Sequence, residues 1–178
     1  MVTIAISGLH GAGKTTAAKA LAEKFGLRHV SAGTVFRDMA KEREMSLDEF
    51  SRYVERHPEI DQKIDQRTSE EAKSDDTLVD ARLAGWMAED ADIKIMLSAP
   101  LDARVRRIAR REGRKEDDVR EETIAREESE AKRYKKLYGI DVNDHSAFDL
   151  VLNTMRLNEE EMIRVLELVV GFIVEKKG

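Results

Sequence analysis

The chain has 178 residues, a formal net charge of −5, 38% charged residues and no cysteine. This length is typical of one domain with a substantial core, and the lack of cysteine excludes disulfides and thiolate metal sites. A net negative charge gives no general affinity for nucleic acid, no apolar run is long enough to span a bilayer, and the N-terminus lacks a basic signal-peptide start. We therefore expect a cytoplasmic protein that binds neither nucleic acid nor a membrane.

Short apolar strands alternate with amphipathic helices along the chain, which is typical of a parallel sheet covered on both faces. The predicted strands are 2–7, 28–31, 77–80, 93–98 and 148–153. The predicted helical segments are 14–25, 34–73, 101–112, 117–138 and 158–176. We predict an α/β fold built on a five-stranded parallel sheet, with one domain over 1–178.

The first strand leads into a glycine-rich stretch that fits G-x-x-x-x-G-K-[ST] and opens a helix. Such a loop turns its backbone N–H groups towards phosphate, and the helix N-terminus adds positive potential. Lys14 is expected to reach the β- and γ-phosphates of a nucleotide, and the Thr15 hydroxyl to bind Mg²⁺. For His10 we expect the backbone to matter more than the ring. The predicted nucleotide-binding residues are Gly8, Leu9, His10, Gly11, Ala12, Gly13, Lys14, Thr15 and Thr16.

Thr77-Leu78-Val79-Asp80 is a short apolar strand that ends in an acid. Beside a phosphate-binding loop, an acid at this place commonly helps to hold Mg²⁺, and the alternative is an aspartate that shapes a turn. Arg82 follows two residues later and should project over the same strand ends. We interpret Arg82 as a candidate clamp for a phosphate.

A second basic group follows the second strand, in the stretch Ser31 to Arg37. Thr34 is a plausible N-cap of the next helix, and Arg37 lies one turn into it. A cation there can meet a second phosphate facing the glycine-rich loop. The alternative is an arginine that is solvated on a helix face.

Arginines also crowd the two helices predicted between the fourth and fifth strands. Planar guanidinium groups suit phosphoryl transfer, where charge spreads over the equatorial oxygens, but solvated ion pairs give the same pattern. One group falls on one side of its helix, away from the apolar positions: Arg104, Arg107, Arg111 and Arg114. On the next helix Arg126, Glu130 and Arg133 share a face, whereas we favour solvated ion pairs for Arg106, Arg110 and Arg120.

Five segments together resemble the nucleoside monophosphate kinases, and among them the short cytidylate kinases of the archaeal type. Besides the glycine-rich loop they are Gly33-Thr34-Val35-Phe36-Arg37, Arg82-Leu83-Ala84-Gly85-Trp86-Met87, Arg126-Glu127-Glu128-Ser129-Glu130-Ala131-Lys132-Arg133-Tyr134 and Tyr138-Gly139-Ile140-Asp141. The likeness covers essentially the whole chain. It implies a P-loop NTPase three-layer fold with a core of 1–33, 74–106 and 140–178, a segment that binds the nucleoside monophosphate at 34–73, and an arginine-rich lid at 107–139.

The resemblance also implies an activity, namely Mg²⁺- and ATP-dependent phosphorylation of CMP, and of dCMP, by a monomer. The acceptor phosphate would meet Arg37 and Arg82, and the catalytic residues would be Lys14, Arg82, Arg126 and Arg133. In bacterial relatives a set of Arg, acid and Arg contacts the acceptor, with the spacing of Arg126, Glu130 and Arg133. There the acid is Asp, and an Asp also stands where this chain has Leu83.

The block 34–73 is too short to contain the insert that bacterial cytidylate kinases carry, so the resemblance does not assign the groups that read the base. Asp61, Asp65 and Arg67, on the helix after Pro58, are our candidates for that role. Two other functions stay open: an adenylate-kinase-like ATPase that serves as an assembly factor, and a P-loop kinase of a small molecule of the shikimate or pantetheine type. A GTPase is disfavoured, because the chain has no N-K-x-D motif.

Overall fold

The computed structural model describes residues 2–71, 73–74 and 76–177. Its strands are β1 (Thr3–Gly8), β2 (Arg28–Ser31), β3 (Thr77–Asp80), β4 (Ile93–Ser98) and β5 (Leu150–Asn153). Its helices are α1 (Lys14–Phe25), α2 (Ala32–Glu42), α3 (Leu47–Arg56), α4 (Glu59–Glu71), α5 (Ala84–Met87), α6 (Leu101–Glu112), α7 (Glu116–Tyr138) and α8 (Glu159–Lys177). All five predicted strands are present, whereas α5 was not predicted.

The five strands form one parallel sheet in the order β2-β3-β1-β4-β5, which confirms the predicted sheet. Ser31 pairs with Asp80, and Gly8 pairs with Leu97, so the carboxyl ends of the four neighbouring strands meet at one edge. Ligands of open α/β sheets bind at that edge. The glycine-rich loop leaves β1 in the middle of it.

Helices cover both faces of the sheet and bury two separate apolar layers. Leu21 of α1 and Leu166 of α8 pack with Ile4 and Ile95 of the sheet, and none of these four side chains is exposed. On the other face Ala84 of α5 packs with Ala5 and Val79. No helix among residues 2–71, 73–74 and 76–177 is long and apolar enough to cross a membrane.

The segment α2–α4 has an apolar core of its own, centred on the fully buried Phe50. Ser31 caps α2 by accepting a hydrogen bond from the backbone N–H of Thr34 at 3.0 Å, so the prediction of Thr34 as N-cap was wrong. The helix therefore begins at Ala32, where the strand ends and the serine side chain replaces the missing backbone acceptor. A separate small core makes this segment a distinct unit beside the sheet.

The pair α6 and α7 forms a hairpin whose turn is Gly113, with φ of 65°. Val105 and Ile108 of α6 pack against Val119 of α7 in a short apolar seam. Ion pairs also join the two helices, between Arg104 and Glu127 and between Asp102 and Arg120. The hairpin leans over the same sheet edge as the glycine-rich loop, which it contacts through its first helix.

Candidate active site

The glycine-rich loop turns from β1 into α1 through positions that admit no side chain. A Cβ on Gly8 would lie 2.5 Å from the carbonyl oxygen of Leu97, and Gly13 has φ of 101° directly before the first helical residue. Both conditions favour glycine strongly. The loop therefore brings the N-terminus of α1 and the Lys14 side chain to the sheet edge, as the motif predicts.

Three successive carbonyl groups of this loop are hydrogen-bonded from outside. The carbonyl of His10 accepts from Nη1 of Arg104 at 3.1 Å, that of Gly11 from Nη1 of Arg107 at 3.3 Å, and that of Ala12 from Oγ1 of Thr154 at 3.1 Å. With these carbonyls bonded from outside the loop, the first N–H groups of α1 remain available to an anion. These contacts fix the conformation of the loop from the side of α6 and β5.

Arg104 is a structural residue, whereas the sequence left it open between a phosphate-facing arginine and a solvated ion pair. It is 4% exposed and donates to the carbonyl of Ala99 at 2.9 Å as well as to His10. Its guanidinium also makes a bidentate ion pair with Glu127 of α7, at 2.5 and 3.2 Å. Arg107 is similarly engaged, since it binds both the hydroxyl and the carbonyl oxygen of Thr154.

A cavity of about 660 Å³ lies between the loop, the α6–α7 hairpin and the start of α8. Its walls include Leu157, Asn158 and Met162 opposite the loop. The arginines that line it are Arg107, Arg110, Arg111, Arg114 and Arg126. Arg110 lines the cavity from an exposed position. The prediction of a solvated ion pair is confirmed for Arg120, which pairs with Asp102 at 2.7 Å on the surface. The cavity has the size and the cationic wall that a nucleoside triphosphate requires.

Two oxygen ligands for a hard cation meet beside the loop. The hydroxyl of Thr15 donates to Oδ2 of Asp80 at 2.8 Å, and Asp80 is 4% exposed. Nε2 of His29 lies 3.7 Å from the same oxygen. A hydroxyl and a carboxylate side by side fit Mg²⁺, which prefers oxygen ligands, so the donor set matches the predicted metal site. Burial lowers the pKa of the Lys14 ammonium, and the charge of Asp80 opposes that shift.

Arg82 is a buried cation that lacks a close partner. Its side chain is 10% exposed, and its nearest carboxylate oxygen, on Glu130, is 3.7 Å from Nε. Among the described residues, Nε and Nη1 of Arg82 donate no hydrogen bond. Burial lowers the pKa of this guanidinium, and the charge of Glu130 opposes the shift. A desolvated guanidinium with free donors, beside Thr15 and Asp80, has the chemistry to bind an anion such as a phosphate.

Basic groups surround the carboxylate of Glu130, and one of them is the imidazole of His10. Its carboxylate lies 3.0 and 3.2 Å from Nε2 of His10 and accepts from Nε of Arg126 at 3.1 Å. Burial by itself would raise the pKa of Glu130, but His10 and Arg126 lower it to about 2. The ring of His10 therefore has a structural contact in addition to its backbone, because its side chain joins the loop to α7.

Two further contacts join α7 to α4. Nη1 of Arg133 donates to Oδ2 of Asp61 at 3.1 Å, and the hydroxyl of Tyr138 donates to Oδ2 of Asp65 at 3.2 Å. The structure therefore brings Asp61 and Asp65 to the side of α4 that faces α7, and we call the space between these two helices the cleft. It does not bring Arg67, which pairs with Glu42 at 2.7 Å, because two residues beyond Asp65 a side chain points away from that face of the helix.

Arg37 stays apart from this network. Its side chain is exposed and donates to the hydroxyl of Thr34 at 3.2 Å, one turn earlier in α2. It lies at the same strand edge as Asp80, since α2 follows β2 directly. Sequence reasoning missed Thr154, although a polar residue just after β5 falls at this edge and could have been flagged.

The sequence profile of the cytidylate kinase-like family matches residues 3–156. The chain belongs to this family. It is 46% identical to the cytidylate kinase of Pyrococcus horikoshii over 93% of this chain and 86% of that protein. It is also 46% identical to the cytidylate kinase of Methanocaldococcus jannaschii over 92% of this chain and 94% of that protein. As a family member it is a phosphotransferase of the kinase class.

Solved structures share the fold at low identity. A shikimate kinase from Bacteroides thetaiotaomicron superimposes with a TM-score of 0.62 and 17% identity, over 96% of this chain and 98% of the other. An uncharacterized protein from Eubacterium ventriosum gives a TM-score of 0.69 and 16% identity, over 97% and 98%. This similarity shows that the fold is shared with these proteins.

Proposed function

We propose that the protein transfers the γ-phosphoryl group of ATP to CMP, and to dCMP, to form ADP and the diphosphate. The observation that carries the proposal is the buried Arg82, whose Nε and Nη1 have no hydrogen-bond partner among the described residues, beside the pair of Asp80 and the cavity-lining Thr15. One anion site lies at the loop and another at Arg82. Relatives about 45% identical over most of the chain carry the name cytidylate kinase.

The donor side would hold ATP through the loop, Gly8 to Thr16. Lys14 would contact the β- and γ-phosphates, and Thr15 and Asp80 would hold Mg²⁺, which neutralises charge on the phosphate oxygens when bound. The protein supplies position and charge rather than covalent chemistry. The nucleoside of ATP would occupy the cavity near Leu157, Asn158 and Met162.

The acceptor side would hold the monophosphate through Arg82, with Arg37 approaching from α2. Arg126 and Arg133 would stabilise the phosphoryl group during its transfer. Glu130 would orient the acceptor, and Asp61 and Asp65 would line the end of the site far from the phosphates. These arginines already have carboxylate partners on the protein, so binding would exchange Glu130 and Asp61 for phosphate oxygens. The region 107–139 would act as the lid that excludes water, in a monomer.

A screen of acceptors tests the proposal. ATP consumption is measured with each ribo- and deoxyribonucleoside monophosphate, with shikimate, and without an acceptor, in the presence of Mg²⁺. We expect CMP and dCMP to give the highest kcat/KM. ATP hydrolysis that no monophosphate stimulates would instead favour the assembly-factor ATPase, and turnover with shikimate alone would favour a small-molecule kinase.

A further inference from the structure

The face that α4 turns to α7 carries two carboxylates one helical turn apart. Asp61 binds Arg133, and Asp65 binds Tyr138. Solvent reaches this cleft, since the side chains of Asp61 and Arg133 are 36% and 32% exposed. Both carboxylates are therefore within reach of a molecule that enters between α4 and α7.

The two carboxylates differ in what neutralises them. Asp61 forms an ion pair with a guanidinium, so its charge is compensated. Asp65 has a neutral phenol as its partner, and its second oxygen, Oδ1, accepts no hydrogen bond from the described residues. Burial raises the pKa of Asp65 to about 6, and the bond from Tyr138 opposes that shift. Asp65 is thus the carboxylate with spare hydrogen-bonding capacity.

Apolar side chains flank Asp65 on the side of the sheet. Leu83 and Met87 line a small cavity with it, and Leu83 also packs with Tyr134 of α7. That cavity measures only about 10 Å³, so a ligand would reach Asp65 from the exposed side, where Asp61 and Arg133 lie. Leu83 is 2% exposed, so these apolar side chains pack behind Asp65 and desolvate its carboxylate.

The distance to the phosphate site fits the length of a nucleotide. Glu130, which faces Arg82, and Tyr138, which holds Asp65, are eight residues apart on α7, a rise of about 12 Å. That separation is of the order of the length of a nucleoside monophosphate from its phosphate to the far edge of its base. An acceptor whose phosphate binds Arg82 therefore brings its base to Asp65.

We propose that Asp65, held by Tyr138, accepts a hydrogen bond from the exocyclic amino group of the acceptor base and so selects cytosine against uracil. Cytosine presents an amino donor at the position where uracil presents a carbonyl acceptor. An ionised carboxylate only accepts, so uracil would leave two buried acceptors facing each other without a proton between them. The inference rests on the proposed function, since it assigns a residue to the acceptor of that reaction.

The test compares kcat/KM for CMP and for UMP in the wild type and in two variants. In Asp65→Asn the amide can donate to the uracil carbonyl while its oxygen still accepts from Tyr138, so we expect the CMP-to-UMP ratio to fall at least tenfold. In Asp65→Ala the CMP-to-UMP ratio should also fall, because kcat/KM for CMP decreases while no new contact to uracil forms. KM for ATP stays unchanged in both, which a general structural defect would not allow.

Glu70→Gln is the matched control, because Glu70 is an exposed carboxylate of the same helix that binds Gln66. It should leave the ratio at the wild-type value. An unchanged ratio in both folded Asp65 variants overturns the inference, as does a fall in Asp61→Asn without one in Asp65→Asn. A wild type that phosphorylates neither CMP nor UMP would instead refute the proposed function.

Discussion

The proposed donor and acceptor sides of the site are built differently, and two buried arginines show how. On the donor side Arg104 donates to two backbone carbonyls and a carboxylate, and the glycine-rich loop is tied at three successive residues. On the acceptor side Arg82 is also buried but has free donors, and Arg37 is exposed. On the proposed donor side the protein satisfies its own buried arginine, whereas on the proposed acceptor side two guanidinium nitrogens of Arg82 keep hydrogen-bonding capacity. We therefore expect Arg104 to matter for stability and Arg82 to matter for substrate binding.

The largest effect is expected from Lys14→Ala. Removing the ammonium from a formed phosphate site should lower kcat on the order of a thousandfold or more, while the thermal unfolding temperature stays close to wild type. Lys19→Ala is the control, since Lys19 is exposed on the same helix. A Lys14→Ala enzyme with half of the wild-type turnover would show that the donor phosphates bind elsewhere.

Arg104→Met should act on stability. It leaves the Glu127 carboxylate and the carbonyls of Ala99 and His10 without their donor, and the free energy of unfolding should fall by about 2–4 kcal/mol. Urea unfolding followed by circular dichroism measures it. If Arg104→Met has the wild-type free energy of unfolding, Arg104 does not have the structural role that distinguishes it from Arg82.

Arg82→Met should have the opposite profile. Because its guanidinium is buried without a hydrogen-bond partner for Nε and Nη1 among the described residues, stability should stay the same or increase. KM for CMP should rise about 10–100-fold, and much more than KM for ATP, since a charged contact to the acceptor is lost. Arg37→Met should likewise raise KM for CMP more than KM for ATP. If only KM for ATP changes, Arg82 and Arg37 bind the phosphate donor rather than the acceptor.

Asp65 gives a smaller, pH-dependent effect on stability. Its folded-state pKa of about 6 lies above the ordinary value of 3.8, so the proton stabilises the fold below pH 4 and that stabilisation is lost as the pH rises through 6. Asp65→Asn should therefore be more stable than wild type by of the order of 1–2 kcal/mol at pH 7, and the gain should vanish near pH 4. Urea titrations at both pH values decide it, with Glu70→Gln as the control. A pH-independent difference would show that burial of the ionised carboxylate does not cause it.

The smallest effect is expected at the outer surface of the α6–α7 hairpin. Arg120 pairs with Asp102, whose side chain is 71% exposed. Arg120→Ala should change the free energy of unfolding by less than about 0.5 kcal/mol and leave kcat/KM unchanged. A clear loss of activity would mean that this face of the hairpin, too, contacts substrate.

The sequence predicts the sheet, the loop and the Thr15–Asp80 pair, because these depend on strand patterns and on a motif whose spacing determines its geometry. It left open whether Arg104 faces a phosphate or has a structural role. The partners of Arg104 include His10, 94 residues away, and Glu127, on the second helix of a hairpin. Which arginine meets a carboxylate is decided by how α6 and α7 pack on the loop. The same long-range packing brings Glu130 to the ring of His10, and this contact cannot be predicted from a local sequence pattern.

The ties between the glycine-rich loop and α6 also determine where the hairpin can bend. Arg104 and Arg107 occupy the first two turns of α6, and both are anchored to the backbone of that loop. A rotation of the whole helix would break these anchors, so its first half must move together with the sheet. The pivot of any closing motion therefore lies beyond Arg107. Because α7 is itself tied to Arg104 through Glu127 and to the loop through Glu130 and His10, the least anchored part is the last turn of α6, the Gly113 turn and the first half of α7. In a closing motion Arg111 and Arg114 would move with that part, towards a loop that stays fixed.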